Sequence, residues 1–480
     1  MTTIHVSNPR TGANDYSFEA ISRDDVALRC TTLRLEQKAW ASKTIQARCE
    51  TLQRWRDAIA NNRANITAAL TIDTGRHMMA AIEVDSIIEK IDYWCKTAPE
   101  LANAAKIQST STMVPSVNYE TLQIPYSLTG IISPWNVPLI LGLIDAIPAL
   151  LAGSAVIIKP SEVTPRFATP LLDTIASVPE LANVFTLVLG AAETGKALID
   201  NVDIICFTGS VDTGKKVAVS AAENFIPAFL ELGGKDPAIV MADADLDAAA
   251  TAILRSAAGL TGQTCQSLER IYVHNSVFSE FIDLLVEKAQ NIKLNYPDLM
   301  SGHIGPFIFP AQGDKVQEQL DDALLHGAVI RCGGEVQTLG GGKYCEPTVI
   351  TNVNHDMKIM QQETFGPLMP VMPFASIEDA VTLANDTEYG LSASVFGRDI
   401  DAAKKVAVQI NAGAIGINDG SMTAAVHDVE KNSFLNSGMG ASRMGNAGFL
   451  RFFRSRSLLQ QTTEPMPLMF MAEENRPATS

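Results

Sequence analysis

No Gly-x-Gly-x-x-Gly follows a predicted strand in this chain, so the common dinucleotide fingerprint, whose glycines let backbone approach a pyrophosphate, is missing. The seven histidines, at 5, 77, 274, 303, 326, 355 and 427, never form His-x-x-x-His, and no metal site is expected. The seven cysteines, at 30, 49, 95, 206, 265, 332 and 345, include no Cys-x-x-Cys pair. Met1 to Tyr16 also lacks an apolar leader core, so reduced thiols in a cytoplasmic protein are expected rather than a disulfide framework. Dense positive charge is absent as well. A net charge of −16 repels phosphate backbones, and Arg451, Arg454 and Arg456 make too small a patch to offset it, which excludes nucleic acid as an expected partner. Finally, there is no unbroken apolar run of membrane length. Val137 to Ile158 comes nearest, but Pro138, Asp145, Pro148 and Gly153 interrupt it; Leu139 to Leu151 reads as a buried helix and Ser154 to Ile158 as a buried strand. Pro465 to Met471 is too short to span a bilayer, and no membrane association is expected.

What is present fits an α/β enzyme of about three domains: 480 residues, 46% of them apolar, with 32 glycines. Asp24 to Leu70 predicts two amphipathic helices with a break near Ser42, and Met78 to Cys95 a third. Short apolar runs at Val156–Ile158, Val184–Val188, Ile204–Phe207 and Ala238–Val240 then alternate with helical stretches such as Pro165–Ile175 and Gly214–Ala222, the pattern of a parallel sheet covered by helices. After Gly233-Gly234 the alternation resumes, with helices at Leu246–Ala258 and Phe278–Ile292 and strands at Ile271–Val273, Leu391–Phe396 and Ala414–Ile417. Val117–Leu128 and Leu450–Gln461 read as exposed extended segments.

Cys265 is the most informative residue. It lies in Gly262-Gln263-Thr264-Cys265-Gln266, 34 residues after Glu231 of Glu231-Leu232-Gly233-Gly234-Lys235. Polar residues and glycine around a cysteine suit a tight turn with an accessible thiol, whereas a core cysteine needs neither. Further motifs stand at Pro134-Trp135-Asn136-Val137-Pro138, Lys159-Pro160-Ser161-Glu162, Phe207-Thr208-Gly209-Ser210 and Glu363-Thr364-Phe365-Gly366-Pro367. Read locally, Asn136 and Ser210 also suit helix caps, Glu363 a turn carboxylate and Phe365 a core aromatic.

In their order and separations these six motifs resemble the NAD(P)-dependent aldehyde dehydrogenase superfamily of the hydrolytic, non-CoA-acylating type, over nearly the whole chain. The resemblance implies a Rossmann-like NAD-binding domain over 1–116 and 129–233, an α/β catalytic domain over 234–435, and a small β oligomerisation extension over 117–128 and 450–465, giving a homodimer or homotetramer by edge-strand pairing. It implies Cys265 as nucleophile, Asn136 with the Cys265 backbone N–H as oxyanion donors, and Glu231 as the base that activates water. Trp135, Lys159, Glu162, Ser210, Glu363 and Phe365 are implied for the cofactor. Lys159 and Glu162 would meet the adenine ribose hydroxyls, where a carboxylate repels a 2′-phosphate and favours NAD over NADP. Ser210 would begin a helix facing the pyrophosphate.

Two stretches depart from the family. Gln266-Ser267-Leu268-Glu269-Arg270 replaces a small-residue run, and Glu430-Lys431-Asn432-Ser433-Phe434 replaces a Pro-Phe-Gly-Gly element, although Ser437-Gly438-Met439-Gly440 matches. Ile140, Leu141 and Ile144 share a helix face after Asn136 and suit either an aldehyde channel or core. With no Lys or Arg among them, an apolar aliphatic or aromatic aldehyde is the expected substrate. The rival readings are a CoA-acylating dehydrogenase, which Glu231 argues against, a noncatalytic binding protein, and a cysteine hydrolase, which would leave the nucleotide motifs without purpose.

Overall fold

The computed structural model describes residues 2–465 and 467–472; Met1 of the Met1–Tyr16 stretch and Met466 of the short apolar tail lie outside them. The N-terminal third is helical, but it holds one helix more than its periodicity predicts: Arg23–Ser42, Ile45–Asn61 and Arg63–Thr74. The additional break falls at Asn62, whose backbone leaves helical geometry and whose side-chain amide donates to the Pro170 carbonyl at 2.8 Å. A competing side-chain hydrogen bond of this kind is the usual reason asparagine interrupts helices. His77–Ala104 follows as a single long helix.

The predicted helix over Leu139–Leu151 is likewise two, Pro138–Leu143 and Ala146–Ala152. Pro148 has no N–H, and its ring opposes the carbonyl four residues earlier, at Ile144, so the first helix cannot run through. Asp145 sits at the break and is buried, and its two carboxylate oxygens are taken by Arg443, at 2.9 Å, and Arg451. The break thus fastens the C-terminal segment to the first core.

Two sheets organise the rest, as an α/β chain requires. The first has six strands in the order Gly438–Met439, Ala228–Glu231, Ile204–Thr208, Leu128–Ile132, Ala155–Lys159, Phe185–Leu187; all pair in parallel except the first, which is antiparallel to Ala228–Glu231. The second has seven, in the order Val329–Cys332, Thr348–Thr351, Leu368–Phe374, Leu268–His274, Asp236–Val240, Ser392–Phe396, Ala414–Ile417, with only the first antiparallel. Their central strands are almost wholly buried and read as continuous apolar runs, because helices cover both faces.

Phe453–Gln461, Val117–Pro125 and Ile107–Thr110 form a separate antiparallel ribbon in that order. Leu128, at the end of the predicted extended segment, belongs instead to the first sheet and is buried there. A short hairpin, Thr3–Ser7 with Asn14–Glu19, was not legible in the sequence. Among the described residues no helix is long and apolar enough to cross a membrane.

Candidate active site

Cys265 lies between the helix Leu246–Ala258 and the strand Leu268–His274. The chain turns toward it through three successive left-handed residues, Leu260, Thr261 and Gly262, at φ +55°, +61° and +66°. A Cβ on Gly262 would come within 2.3 Å of the Gly366 carbonyl, so only glycine fits there. Groups far away in sequence suspend the loop. Arg76 Nη2 donates to the Leu260 carbonyl at 2.6 Å, Thr261 Oγ1 to the Gly305 carbonyl at 2.9 Å, and the Ile308 N–H to Gln263 Oε1 at 2.9 Å. Asn136 Nδ2 donates to the Gln263 carbonyl at 2.9 Å. That bond uses one of the two amide hydrogens of a buried asparagine and leaves the second beside the cysteine loop.

The Cys265 thiol keeps some open surface, yet its surroundings are dense: burial pushes it up to about 12, the nearby Glu363, Asp236 and Glu231 carboxyls push the same way, and the Lys431 ammonium opposes them. Burial also raises Cys206 and Cys345 to about 12, so a raised thiol does not by itself mark a nucleophile. The distinguishing feature is the set of ionisable groups around Cys265.

Two of the carboxylates arrive on the Glu231–Lys235 segment and on the Glu363 loop. Glu231 ends its strand, pairs through its backbone with Gly438, and accepts from Ser433 Oγ at 2.9 Å. The next glycines run between Cys265 and Glu363: a Cβ on Gly233 would stand 2.6 Å from both Glu363 oxygens, and one on Gly234 would stand 2.6 Å from the Cys265 carbonyl. Glu363 accepts from the Gly234 N–H at 3.3 Å, and burial with the neighbouring Glu269 pushes its carboxyl up to about 8.

Below these groups is a tie that sequence reading missed. Lys235 Nζ donates to Glu269 Oε2 at 2.9 Å and to Thr364 Oγ1 at 2.7 Å, while Glu269 accepts the Thr364 and Phe365 N–H groups at 2.7 Å each. Both charged side chains are almost inaccessible. The ion pair thereby clamps the Glu231–Lys235 motif to the Glu363–Pro367 motif and holds Phe365 at φ +52°, its ring edge-on to Trp135 with centroids 5.4 Å apart. The available signal was a carboxylate inside an apolar strand, Leu268–His274, which has to find a buried cation. Asp236 is a second such case: it accepts from the Ser392 N–H at 3.2 Å and from the Ser392 hydroxyl, and burial pushes it up to about 8. Glu269 and Arg270 are therefore core groups, and Arg270 donates to the carbonyls of Lys235 and Ala384 at 2.8 Å each.

The remaining predicted residues gather at one edge of the first sheet. Chain order reverses there: Leu128–Ile132 is followed by Ala155–Lys159 on one side, whereas Ile204–Thr208 returns to its other side. A crevice outside the carboxyl ends of strands at such a reversal is where open α/β sheets take ligands. Trp135 and Asn136 follow the central strand, Lys159 ends one neighbour, and Ser210 follows the other. Lys159 Nζ is 2.9 Å from Glu162 Oε2, the lysine buried and the glutamate part-exposed. Ser210 caps the helix Val211–Glu223 by accepting from the Thr213 N–H at 3.4 Å, and the remaining first-turn N–H groups lack intrahelical partners and suit an anion. Carboxylate, ammonium and helix N-terminus are a donor and acceptor set that fits a dinucleotide. Ile140 and Leu141 are half-buried and Ile144 is buried. No group of three His, Cys, Asp or Glu side chains among the described residues is arranged to hold a metal ion.

Comparison with known proteins shows the family. Residues 1–458 match the family described as "Aldehyde dehydrogenase family". The chain is 34% identical over 422 residues to 4,4'-diapolycopene aldehyde oxidase of Methylomonas sp, covering 87% of this chain and 78% of that protein. It is 33% identical over 453 residues to a putative succinate-semialdehyde dehydrogenase [NADP(+)] of Mycolicibacterium smegmatis, covering 93% and 87%. The solved structure of a putative aldehyde dehydrogenase, PutA, from Anabaena variabilis superposes with a TM-score of 0.95 at 50% identity, over 97% of this chain and 99% of that one.

Proposed function

Because the chain belongs to the aldehyde dehydrogenase family and so oxidises an aldehyde to the carboxylic acid with NAD(P), we propose the following roles for its residues. Cys265 is the nucleophile. Its sulfur bonds to the aldehyde carbon, and the carbonyl electron pair moves onto oxygen, where the second Asn136 amide hydrogen and the Cys265 backbone N–H receive it. The observation that carries this reading is the 2.9 Å bond from Asn136 to the Gln263 carbonyl, which holds the side-chain donor beside the nucleophile loop. When bound, the dinucleotide would supply the acceptor for the hydride that leaves the Cys265-bound carbon as the oxygen electron pair re-forms the carbonyl, so that this carbon becomes a thioester on Cys265. Glu231 then takes a proton from water, whose oxygen adds to the thioester carbon, releasing the acid and restoring the cysteine.

For the cofactor, Lys159 and Glu162 take the adenine ribose, the helix begun by Ser210 takes the pyrophosphate, and Glu363 takes the nicotinamide ribose beside Phe365 and Trp135. A part-exposed Glu162 carboxylate would repel a 2′-phosphate, which supports NAD as the preferred form. The Mycolicibacterium relative is named for NADP(+), and the preference proposed here rests on the Glu162 charge alone. Ile140 and Leu141 supply an apolar channel wall, and an apolar aliphatic or aromatic aldehyde is the proposed substrate.

The first sheet with its helices serves as the NAD-binding domain and the second as the catalytic domain. The antiparallel ribbon exposes Leu458 and Leu459 on its edge strand and supports pairing with a second copy, as a homodimer or homotetramer. A cytoplasmic setting agrees with seven free cysteines.

The test is NAD(P)H formation from a panel of apolar, hydroxylated and carboxylated aldehydes. Full activity in Cys265→Ala, or inactivity of the wild-type protein across the panel with both cofactors, would sink the reading; a higher kcat/KM for carboxylated than for apolar members would sink the substrate class alone.

A further inference from the structure

Two of the cysteines meet across a helix pair. Cys49 stands in the second turn of the helix Ile45–Asn61, and Cys95 well inside His77–Ala104. Arg56, two turns beyond Cys49, pairs with Asp92, one turn before Cys95, at 3.2 Å, so the helices run antiparallel and set the cysteines opposite each other. The contact is reciprocal. The Cys49 thiol donates to the Cys95 carbonyl at 3.6 Å, and the Cys95 thiol donates to the Cys49 carbonyl at 3.7 Å. A disulfide needs sulfurs about 2 Å apart on Cβ atoms about 4 Å apart, and thiols that already cross in this way need side-chain rotation rather than helix displacement to form one.

Access and acidity differ between the two. Cys49 is sealed in the first core, to which Leu52 and Trp55 of the same helix belong, whereas Cys95 is half-buried at its edge and is where a small reagent meets the pair. A hydrogen bond with Cys95 favours a Cys49 thiolate, burial opposes it, and the Arg48 guanidinium favours it again, so the Cys49 thiol is drawn below its ordinary range. The same hydrogen bond pushes the Cys95 thiol up, which leaves one thiolate beside one thiol, the combination that oxidation to a disulfide uses. The helix that carries Cys95 also bears on the active site. Glu83 Oε2 accepts the Leu139 and Ile140 N–H groups at 2.9 and 3.2 Å, just after Asn136, and Arg76 at the helix start holds the Leu260 carbonyl.

We propose that Cys49 and Cys95 are an oxidation-sensitive dithiol, closed to a disulfide by hydrogen peroxide, that staples Ile45–Asn61 to His77–Ala104. In the first step the thiolate sulfur bonds to a peroxide oxygen as the O–O bond breaks, and the departing hydroxide takes up the proton that the thiol lost. The second sulfur then bonds to the resulting sulfenic sulfur, and its proton leaves with the displaced hydroxyl as water. Two electrons pass from the sulfurs to one peroxide, which ends as two waters. The bond joins positions 46 residues apart, so it restricts the unfolded chain and keeps the helix bearing Glu83 against its neighbour.

The test is peroxide treatment of the full chain bearing Cys265→Ala, which removes oxidation of the proposed nucleophile from the readout. Trypsin cuts after Arg48, Arg54, Lys90 and Lys96, so each cysteine leaves on its own short peptide, 49–54 and 91–96. Mass spectrometry should find these peptides joined, lighter by two hydrogens than their sum, and separated by dithiothreitol. The oxidised protein should melt about 5 °C above the reduced one, and the shift should vanish in Cys49→Ser and in Cys95→Ser. The half-buried Cys95→Ser carries that control if Cys49→Ser fails to fold. Cys49 and Cys95 still open to alkylation after excess peroxide and unfolding, Cys95 oxidised to sulfinic acid beside a free Cys49, or joined peptides with an unmoved melting temperature overturns the proposal. Neither readout uses an aldehyde or a dinucleotide, so both stand apart from the oxidation reading.

Discussion

Lys235 and Lys431 are two ammonium groups near one cysteine, and they are surrounded in opposite ways. Lys235 lies in the floor of the site, inaccessible, with its charge fully met by Glu269 and its geometry completed by Thr364. Lys431 is half-buried and tethered through the Thr423 carbonyl, and no carboxylate pairs with it as Glu269 pairs with Lys235, although the Glu231 charge favours its ammonium. A charge whose partners are all supplied by the fold holds backbone in place. One left without such a partner stays available to the ionisable groups around it. The difference matters because a satisfied buried pair adds little net stability but is costly to break, whereas an incompletely satisfied charge acts on whatever ionises next to it.

The largest expected effect tests the floor. Lys235→Met leaves Glu269 buried and unpaired, and should cost about 3–5 kcal/mol of unfolding free energy in denaturant titration. A loss under about 1 kcal/mol would show that the pair is not what clamps the two motifs. The Glu231 site should respond the other way. Glu231→Gln should leave the denaturation midpoint near wild type while slowing steady turnover about 10²-fold or more, with a first burst of NAD(P)H close to one per site retained, because a base is removed from the slow step and not from the fast one. Disappearance of the burst together with turnover would assign Glu231 to activating Cys265.

A change outside both regions sharpens the contrast. Glu162→Gln should raise the NADP-to-NAD ratio of kcat/KM about tenfold, since one like-charge contact is removed at a part-exposed site. A fixed ratio would place the discrimination elsewhere. The smallest effect is a slope. Asp236 is raised by burial to about 8, so between the ordinary carboxylate range and pH 8 the folded protein holds a proton that the unfolded chain has lost. Stability therefore falls as pH rises through that window. Asp236→Asn should flatten the decline in melting temperature from pH 5 to 8, and an unaltered slope would show that the carboxyl is already ionised in the fold.

The local elements were legible to the extent that local pattern controls them. Leu246–Ala258 begins and ends where its periodicity says, because Asp245 caps it by accepting from the Ala248 N–H at 3.1 Å and the apolar face repeats cleanly. The break at Asn62 was not legible, since Asn62 donates to a carbonyl 108 residues away; at the second break Pro148 was visible in the sequence, but the burial of Asp145 against arginines roughly 300 positions on was not. The same contrast runs through the site. Cys265, Glu231, Asn136, Lys159 and Glu162 stand in short motifs that single them out as candidates, whereas Glu269 stood out only as a departure from pattern.

By itself the sequence determined the family, the α/β alternation, the candidate reactive groups and the acidic net charge, because each is written in residues whose identity does not depend on distant neighbours. Only the tertiary structure decided which ionisable groups surround Cys265. Glu363, Asp236 and Lys431 come from separate segments, and their effect on the Cys265 thiol depends on distance and on exclusion of water, neither of which one-dimensional order contains.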